Sequence, residues 1–420
     1  MEHYDVIVIG GGPAGMFAAG FAAQQGARVL LLEKNQRCGA KLLITGKGRC
    51  NLTNAEGDPR RFSMAFGPQG KNLLTALYRF DGAATIAFFE QHGLALTRER
   101  GGRVFPTRGK AAAVQQVLDD FLVASGVTLK TACPVDRVAF AEGRIARLET
   151  AAGRFSAAAY VLATGGLSYP ETGSTGDVFR WAEQSGHRLI AREPALVPVQ
   201  LQEDWTGELT RLNLKNVRIS AHQEGRVIAE RFGEAFFTQR GIGGPIILDM
   251  SALLRDALKS GPVELQLDLK PAVTRELFDK RLQRELKEHH NKDFANSLGK
   301  LLPQVLIPVF VRFSGIPPEK KCHSVSKCER RTLLELFKAL PLQVTGVGDF
   351  GKAIVTSGGV ALGDIDMRSM RSKKIDNLYF CGEMIDLDGP TGGYNLQLCW
   401  STGYLAGVSA AAGFTGTAAG

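Results

Sequence analysis

The sequence predicts an α/β chain built on a Rossmann-like nucleotide-binding domain. Three features lead there: an apolar strand pattern Tyr4 to Ile9, the glycine turn Gly10-x-Gly12-x-x-Gly15, and a second apolar strand, Arg28 to Leu32, that ends on Glu33. A helix pattern from Met16 to Gln25 lies between the strands, so the whole is a short βαβ unit. Gly10 permits the tight turn, Gly12 admits backbone to a pyrophosphate, and Gly15 lets the helix close on the strand. Pro13 and Ala14 open a helix whose first N–H groups face the phosphates. Glu33, followed by Lys34, stands where a carboxylate accepts from a ribose hydroxyl. An acid there favours an unphosphorylated ribose, hence FAD or NAD over NADP.

The chain has 420 residues, enough for two or three domains. Its 44% hydrophobic and 22% charged composition is that of a globular protein, and no apolar run approaches a membrane span. A strand pattern starts almost at Met1 and leaves no room for a signal peptide, which predicts a cytoplasmic protein that uses no membrane. Seven cysteines without a CxxC pair fit reduced thiols. Cys322, His323 and Cys328 match no zinc spacing, so no metal is expected. The net charge of +9, from 51 Lys+Arg against 42 Asp+Glu, permits an anionic partner such as RNA without demanding one. Basic clusters fall at residues 41–49, 98–108, 320–327 and 368–374.

Beyond the opening unit, residues 38–51 are too glycine-rich and basic to predict regular structure, and they suit an extended cofactor. Helix patterns follow at 72–80, 84–91 and 110–124, then short strands at 128–132, 136–141 and 144–150 that read as a meander laid on the nucleotide domain. The apolar strand 159–162 runs into Ala163-Thr164-Gly165-Gly166, where small residues again admit something bound. From about Pro194, alternating patterns predict an antiparallel barrel or sandwich, interrupted by a loop at 234–245. Residues 274–313 and 329–340 predict a small helical subdomain. A second glycine fingerprint, Gly346-x-Gly348-x-x-Gly351, precedes a β-rich segment where a phosphate site requires a helix, so it is a decoy. Only one dinucleotide fold is predicted, with none for a tightly held NAD(P)H.

Near the C-terminus a strand pattern ends at Gly382-Glu383, a glycine loop follows, and a helix pattern starts near Tyr394. A helix N-terminus aimed at the pyrimidine edge of a flavin stabilises negative charge on the reduced ring. Glu383 is expected to accept from the ribityl chain.

These segments together resemble the BaiN/YhiN-type flavoproteins of the glutathione-reductase-like FAD superfamily. The resemblance covers nearly the whole chain and rests on residues 39–54, 102–106, 163–176, 233–245, 355–360 and 382–397. It implies bound FAD, a discontinuous FAD-binding domain (1–193 and 345–420), an inserted antiparallel β-barrel for substrate (194–268 and 336–344) and a small helical cap (269–335). It also implies Lys41, the Gly46, Gly48, Arg49, Cys50 and Asn51 loop, Gly382, Glu383 and the Gly392, Gly393, Tyr394, Asn395 and Leu396 turn as flavin neighbours. Many relatives have a histidine after the threonine of the inserted loop. Here Thr238 is followed by Gln239, which has no titratable proton.

A flavin exchanges hydride at N5, and the protein must handle a proton. Cys50, Tyr169, Thr238 and Gln239 are the candidates for that task; packing roles compete for Cys50 and Tyr169. Cys38 and Cys50 do not form the C-x4-C dithiol of disulfide reductases. Three functions follow. The first is an FAD-dependent oxidoreductase of a small molecule, reducing an activated C=C or oxidising an amine or alcohol, with NAD(P)H as a transient reductant if used. The second is formation of dihydrouridine in ribosomal RNA, an activity the resemblance associates with some relatives. The third is a non-enzymatic flavin-binding redox sensor.

Overall fold

In the computed structural model, which describes residues 1–210, 212–412 and 414, strand β1 (Glu2–Ile9) is buried along Val6 to Ile9. Parallel neighbours flank it on both sides, β2 (Val29–Leu32) and, further along the chain, β9 (Gly153–Leu162). A strand paired on both edges and covered on both faces must be apolar throughout, hence the unbroken Val-Ile-Val-Ile run. Between β2 and β9 come β3 (Thr53–Asn54), β4 (Leu96–Arg98), β5 (Arg103–Pro106), β6 (Thr128–Lys130), β7 (Val135–Ala141) and β8 (Arg144–Thr150). Strands β3, β5 and β4 form a small antiparallel sheet of their own.

The chain then forms β10 (Leu189–Ala195), enters the second unit, and returns as β17 (Val355–Val360), which pairs with β10. The remaining strands of the first unit are β18 (Ile365–Asp366), β19 (Arg371–Ser372) and β20 (Leu378–Phe380). β20 lies parallel to β9, so the main sheet runs β18-β19-β20-β9-β1-β2-β6. The first unit therefore consists of Met1–Pro194 and Ala353–Gly420.

The expected meander is corrected at its first strand only, since β7, β8 and β9 do pair antiparallel in succession. β6 is a parallel strand on the edge of β2, while β7 and β8 join the same sheet through β9. Three-residue β6 is too short for sequence alternation to reveal its parallel partner. A second correction concerns residues 38–51: Ala40–Gly48 is helical up to a break at Thr45, Gly46 and Lys47. Leu42, 1% exposed, anchors the helical turn, and the glycines end it.

The second unit, Ala195–Lys352, contains β11 (Val199–Leu201), β12 (Asn213–Gln223), β13 (Arg226–Thr238), β14 (Gly241–Gly243), β15 (Val263–Asp268) and β16 (Leu340–Val347). They pair antiparallel in the order β11-β14-β13-β12-β15-β16, and β16 returns to β11, closing the sheet on itself. The helices Arg275–Glu288, Ile307–Ser314 and Lys327–Lys338 share one core with these strands; Phe278, Phe310 and Phe337 pack with Leu265 and Leu342. The expected loop at 234–245 is instead a hairpin within this sheet, with Gln239 and Arg240 at its turn. Phe236, Phe237 and Thr238 are strand formers, and their propensity outweighs the glycines around them. Gly346 lies in β16, and the next element after Gly351 is the strand β17 and not a helix.

Candidate functional site

The turn from β1 into helix Pro13–Gln24 is shaped by what a side chain would meet. At Gly10 (φ +107°) a Cβ would stand 2.5 Å from the Ala163 carbonyl oxygen, and at Gly15 it would stand 1.8 Å from that of Gly10. Both glycines are required by the protein itself. Gly12 differs: its φ is −79°, open to any residue, and a Cβ there would meet nothing within 4 Å. The space beside Gly12 is bounded by the helix N-terminus, which has no side-chain cap and no acid in its first turn. Unpaired first-turn N–H groups facing open space fit the pyrophosphate of a dinucleotide.

Two further observations fit the same group. Glu33, 7% exposed, accepts from the backbone N–H of Gly11 through Oε2 and of Asn35 through Oε1, both at 2.7 Å. Each oxygen keeps a second lone pair for a ribose hydroxyl. Thr164 Oγ1, in the Ala163 to Gly165 turn after β9, is buried and finds no hydrogen-bond partner among the described residues. Lys34 takes a different place from the expected one: its Nζ is 2.7 Å from Asp177 and 2.5 Å from Thr175 Oγ1, which ties β2 to the helix Asp177–Gln184.

A second cluster joins segments far apart in sequence. Lys41 Nζ donates to Glu383 Oε2 at 2.6 Å and to Ser168 Oγ at 2.9 Å, and Ser168 Oγ donates to Glu383 Oε1 at 2.7 Å. The backbone N–H of Thr356 donates to the same Oε1 at 3.0 Å, while Thr356 Oγ1 accepts from the N–H groups of Leu167 and Ser168. The expectation that Glu383 stands ready for a ribityl chain is thus altered: Lys41, Ser168 and Thr356 already engage its carboxylate. Ser168 and Thr356, each 0% exposed, were not singled out from sequence, although each lies in a quoted motif.

The glycine loop after Glu383 is closed by Asn395, whose Oδ1 accepts from Gly389 N–H and whose Nδ2 donates to its carbonyl, each at 2.8 Å. Gly392 accepts from Asn54 Nδ2, and Gly393 (φ +100°) starts the helix Tyr394–Ala411 without a side-chain cap. Tyr394 packs on Phe62 with ring centroids 4.7 Å apart, and Leu396 packs against the core. Gln397 accepts from Thr53 and Thr85 and donates to Phe80 and Ser401, while Trp400 Nε1 donates to Leu52. These bonds hold the C-terminal helix against the segment that follows Gly46 to Asn51.

Within that segment Arg49 lies over the Phe105 ring at 4.1 Å and bonds Glu99 at 2.5 Å, and Asn51 Oδ1 accepts from Val104 N–H. Arg49 holds the Glu99 carboxyl below the usual carboxylate range. Gly48 lies at the end of the helical turn. Cys50 is fully buried, and burial pushes its thiol up to about 12. Such a thiol stays protonated and packs as a small apolar group. Burial likewise raises the Tyr169 phenol. Thr238 and Gln239 belong to the second unit, Thr238 at the end of β13 and Gln239 exposed at the turn. Cys322 is buried in the second unit's core, and His323 Nδ1 is 2.8 Å from the His290 carbonyl oxygen.

Asp386 escaped the sequence reading. Half-buried three residues after Glu383, it is pushed up to about 6 by burial, with the like charge of Asp388 adding to the effect. Two aspartates closing a Gly-Glu turn were the available signal. No helix among the described residues is long and apolar enough to cross a membrane.

The HI0933-like protein Rossmann domain model matches residues 4–409. The chain is 31% identical over 96% of its length to the 3-dehydro-bile acid delta(4,6)-reductase of Clostridium scindens, covering 98% of that protein. It is 30% identical over 96% of its length to the ribosomal RNA dihydrouridine synthase of Escherichia coli, covering 97% of that protein. Among solved structures, the 3-ketosteroid delta1-dehydrogenase of Sterolibacterium denitrificans superposes with a TM-score of 0.57 at 15% identity, over 98% of this chain and 100% of that one, a likeness of fold. With a matching glycine cradle, a full-length family match and full-length relatives in agreement, the chain belongs to the HI0933-like family, of BaiN/YhiN type, and is an FAD-dependent oxidoreductase.

Proposed function

We propose that the protein reduces a carbon–carbon double bond conjugated to a carbonyl group. The observation that carries this reading is that two relatives aligned over nearly their whole length have names describing saturation of such a bond, one in a 3-oxo steroid acid and one in the uracil ring. When bound and reduced by two electrons from a donor such as NAD(P)H, the flavin would supply a hydride to the conjugated double bond, leaving the protein to handle the one proton that completes its saturation. Gly12 and the first turn of Pro13–Gln24 hold the pyrophosphate, and Glu33 holds the adenosine ribose. The Lys41, Glu383 and Ser168 cluster orients the ribityl end, and burial lets Asp386 keep its proton up to about pH 6, where a carboxyl of ordinary acidity has already lost it. The second unit, with its closed barrel and helices, selects the substrate.

Between the two substrate classes, the net charge of +9 suits the many phosphates of ribosomal RNA better than a neutral or singly charged small molecule. The deciding experiment compares dihydrouridine in ribosomal RNA from wild-type and deletion cells by mass spectrometry. Loss of the modification in deletion cells supports RNA. Identical content moves the substrate to a small enone, to be sought as a compound that reoxidises the reduced holoenzyme.

A further inference from the structure

Between Leu96 and Lys110 the chain carries five cationic side chains, Arg98, Arg100, Arg103, Arg108 and Lys110, against one carboxylate, Glu99. Nearly half of the protein's net charge is concentrated in this short stretch. The structure gives it a defined form: β4 and β5 are a hairpin, the turn carries Arg100, and Lys110 begins the helix Lys110–Ala124. Glu99 is taken by Arg49 and Arg103. Arg98, Arg100, Arg108 and Lys110 are exposed and form no ion pair among the described residues; Arg98 donates to the Ala55 carbonyl.

We infer that this hairpin is the surface on which the backbone of single-stranded RNA docks, an inference that rests on the ribosomal RNA reading above. Its location argues for that role. The hairpin is joined to the segment after Gly46 by hydrogen bonds from Val104 to Asn51 and from Leu52 to Val104, and by Arg49 over Phe105. Phosphates held on these arginines therefore lie beside the loop assigned to the flavin, where a uracil base has to arrive. At about 3.3 Å per strand residue, Arg98 and the level of Arg108 are roughly 13 Å apart, a span of several backbone phosphates. The helical insert of the second unit commits many of its cations internally, in Arg330–Asp279, Lys320–Glu329, Lys321–Asp293 and Arg275–Glu335. Its exposed Lys280, Arg284 and Lys287 make it the competing surface.

Three full-length holoenzymes decide the matter: wild type, Arg98→Ala/Arg100→Ala/Arg108→Ala, and Lys280→Ala/Arg284→Ala/Lys287→Ala. Each is loaded with FAD, reduced with dithionite and mixed with protein-free ribosomal RNA, and dihydrouridine is measured alongside RNA binding across a salt series. The hairpin variant is expected to keep its flavin content, to need about tenfold more RNA for half-maximal product, and to lose about 2 from the slope of log affinity against log salt. Wild-type behaviour of the hairpin variant, or the same losses in the insert variant alone, overturns the docking surface and leaves the RNA reading standing. No dihydrouridine with the wild-type enzyme overturns the RNA reading, and this inference with it.

Discussion

Adding a side chain at Gly12 and adding one at Gly15 separate what the ligand requires from what the fold requires. The Gly12 backbone is in a region open to every residue, and a Cβ there meets nothing within 4 Å, so Gly12→Val should change the stability of the flavin-free protein by no more than about 0.5 kcal/mol. Its branched side chain fills the space assigned to the pyrophosphate. Loss of one hydrogen bond to a charged phosphate costs about 1.5–3 kcal/mol, which is a roughly 10- to 150-fold weaker affinity for FAD. At Gly15 even a methyl group would sit 1.8 Å from the Gly10 oxygen, and backbone cannot swing aside as a side chain can. Gly15→Ala should therefore destabilise the flavin-free protein by about 1–3 kcal/mol or more. The assay is urea unfolding of the flavin-free proteins, followed by titration of each with FAD. Full flavin affinity in Gly12→Val, or equal destabilisation by the two substitutions, would refute the reasoning.

Three other outcomes are expected. Lys41→Met strips the mostly buried Glu383 carboxylate of its cation and should destabilise by about 3 kcal/mol, with Lys41→Met/Glu383→Gln recovering part of it; additive losses in that double-mutant cycle would count against a coupled pair. Asp386 is raised to about 6, so the folded state binds its proton more tightly than the unfolded chain does. Its stabilising contribution is full below the unfolded value near 4 and is lost as pH rises through about 6. Asp386→Asn should thus be more stable than wild type at pH 7 by about 1 kcal/mol after allowance for partial exposure, with a flatter profile between about 4 and 6; an unchanged slope in thermal melts would contradict the assignment. Burial pushes the Cys38 and Cys50 thiols up to about 12, whereas Cys328 is exposed, so brief alkylation of the native protein should label Cys328 first. Peptide mass spectrometry showing early labelling of Cys50 would reverse that reading.

The opening βαβ unit was legible because its signal is local: the apolar run Val6 to Ile9, the glycines at 10, 12 and 15 and the acid Glu33 fall in one short stretch, even though Gly10 is crowded by Ala163 from far along the chain. The helix Lys110–Ala124 was legible for the same reason, having an amphipathic period and a glycine at its start. What escaped depends on partners remote in sequence. Nothing near Glu383 announces Lys41 or Thr356, and Ser168 becomes informative only once β9 and β20 lie side by side. The hairpin at Thr238 was not legible because it depends on Phe236 and Phe237 pairing with Gly243 and Ile242, across a turn whose glycines carry no strand signal of their own.

The C-terminal helix has a consequence for how the protein is made. Gly403 and Gly407 bring its backbone so close to the first helix that a Cβ on either would stand 2.4 Å from Ala14 O or 2.3 Å from Ala18 O. That flank of the first helix has no cover until about 380 further residues have been synthesised, about 20–80 s at ordinary rates of translation. The nucleotide turn leaves the ribosome long before the C-terminal helix that covers its flank, so flavin capture belongs after that helix has been made.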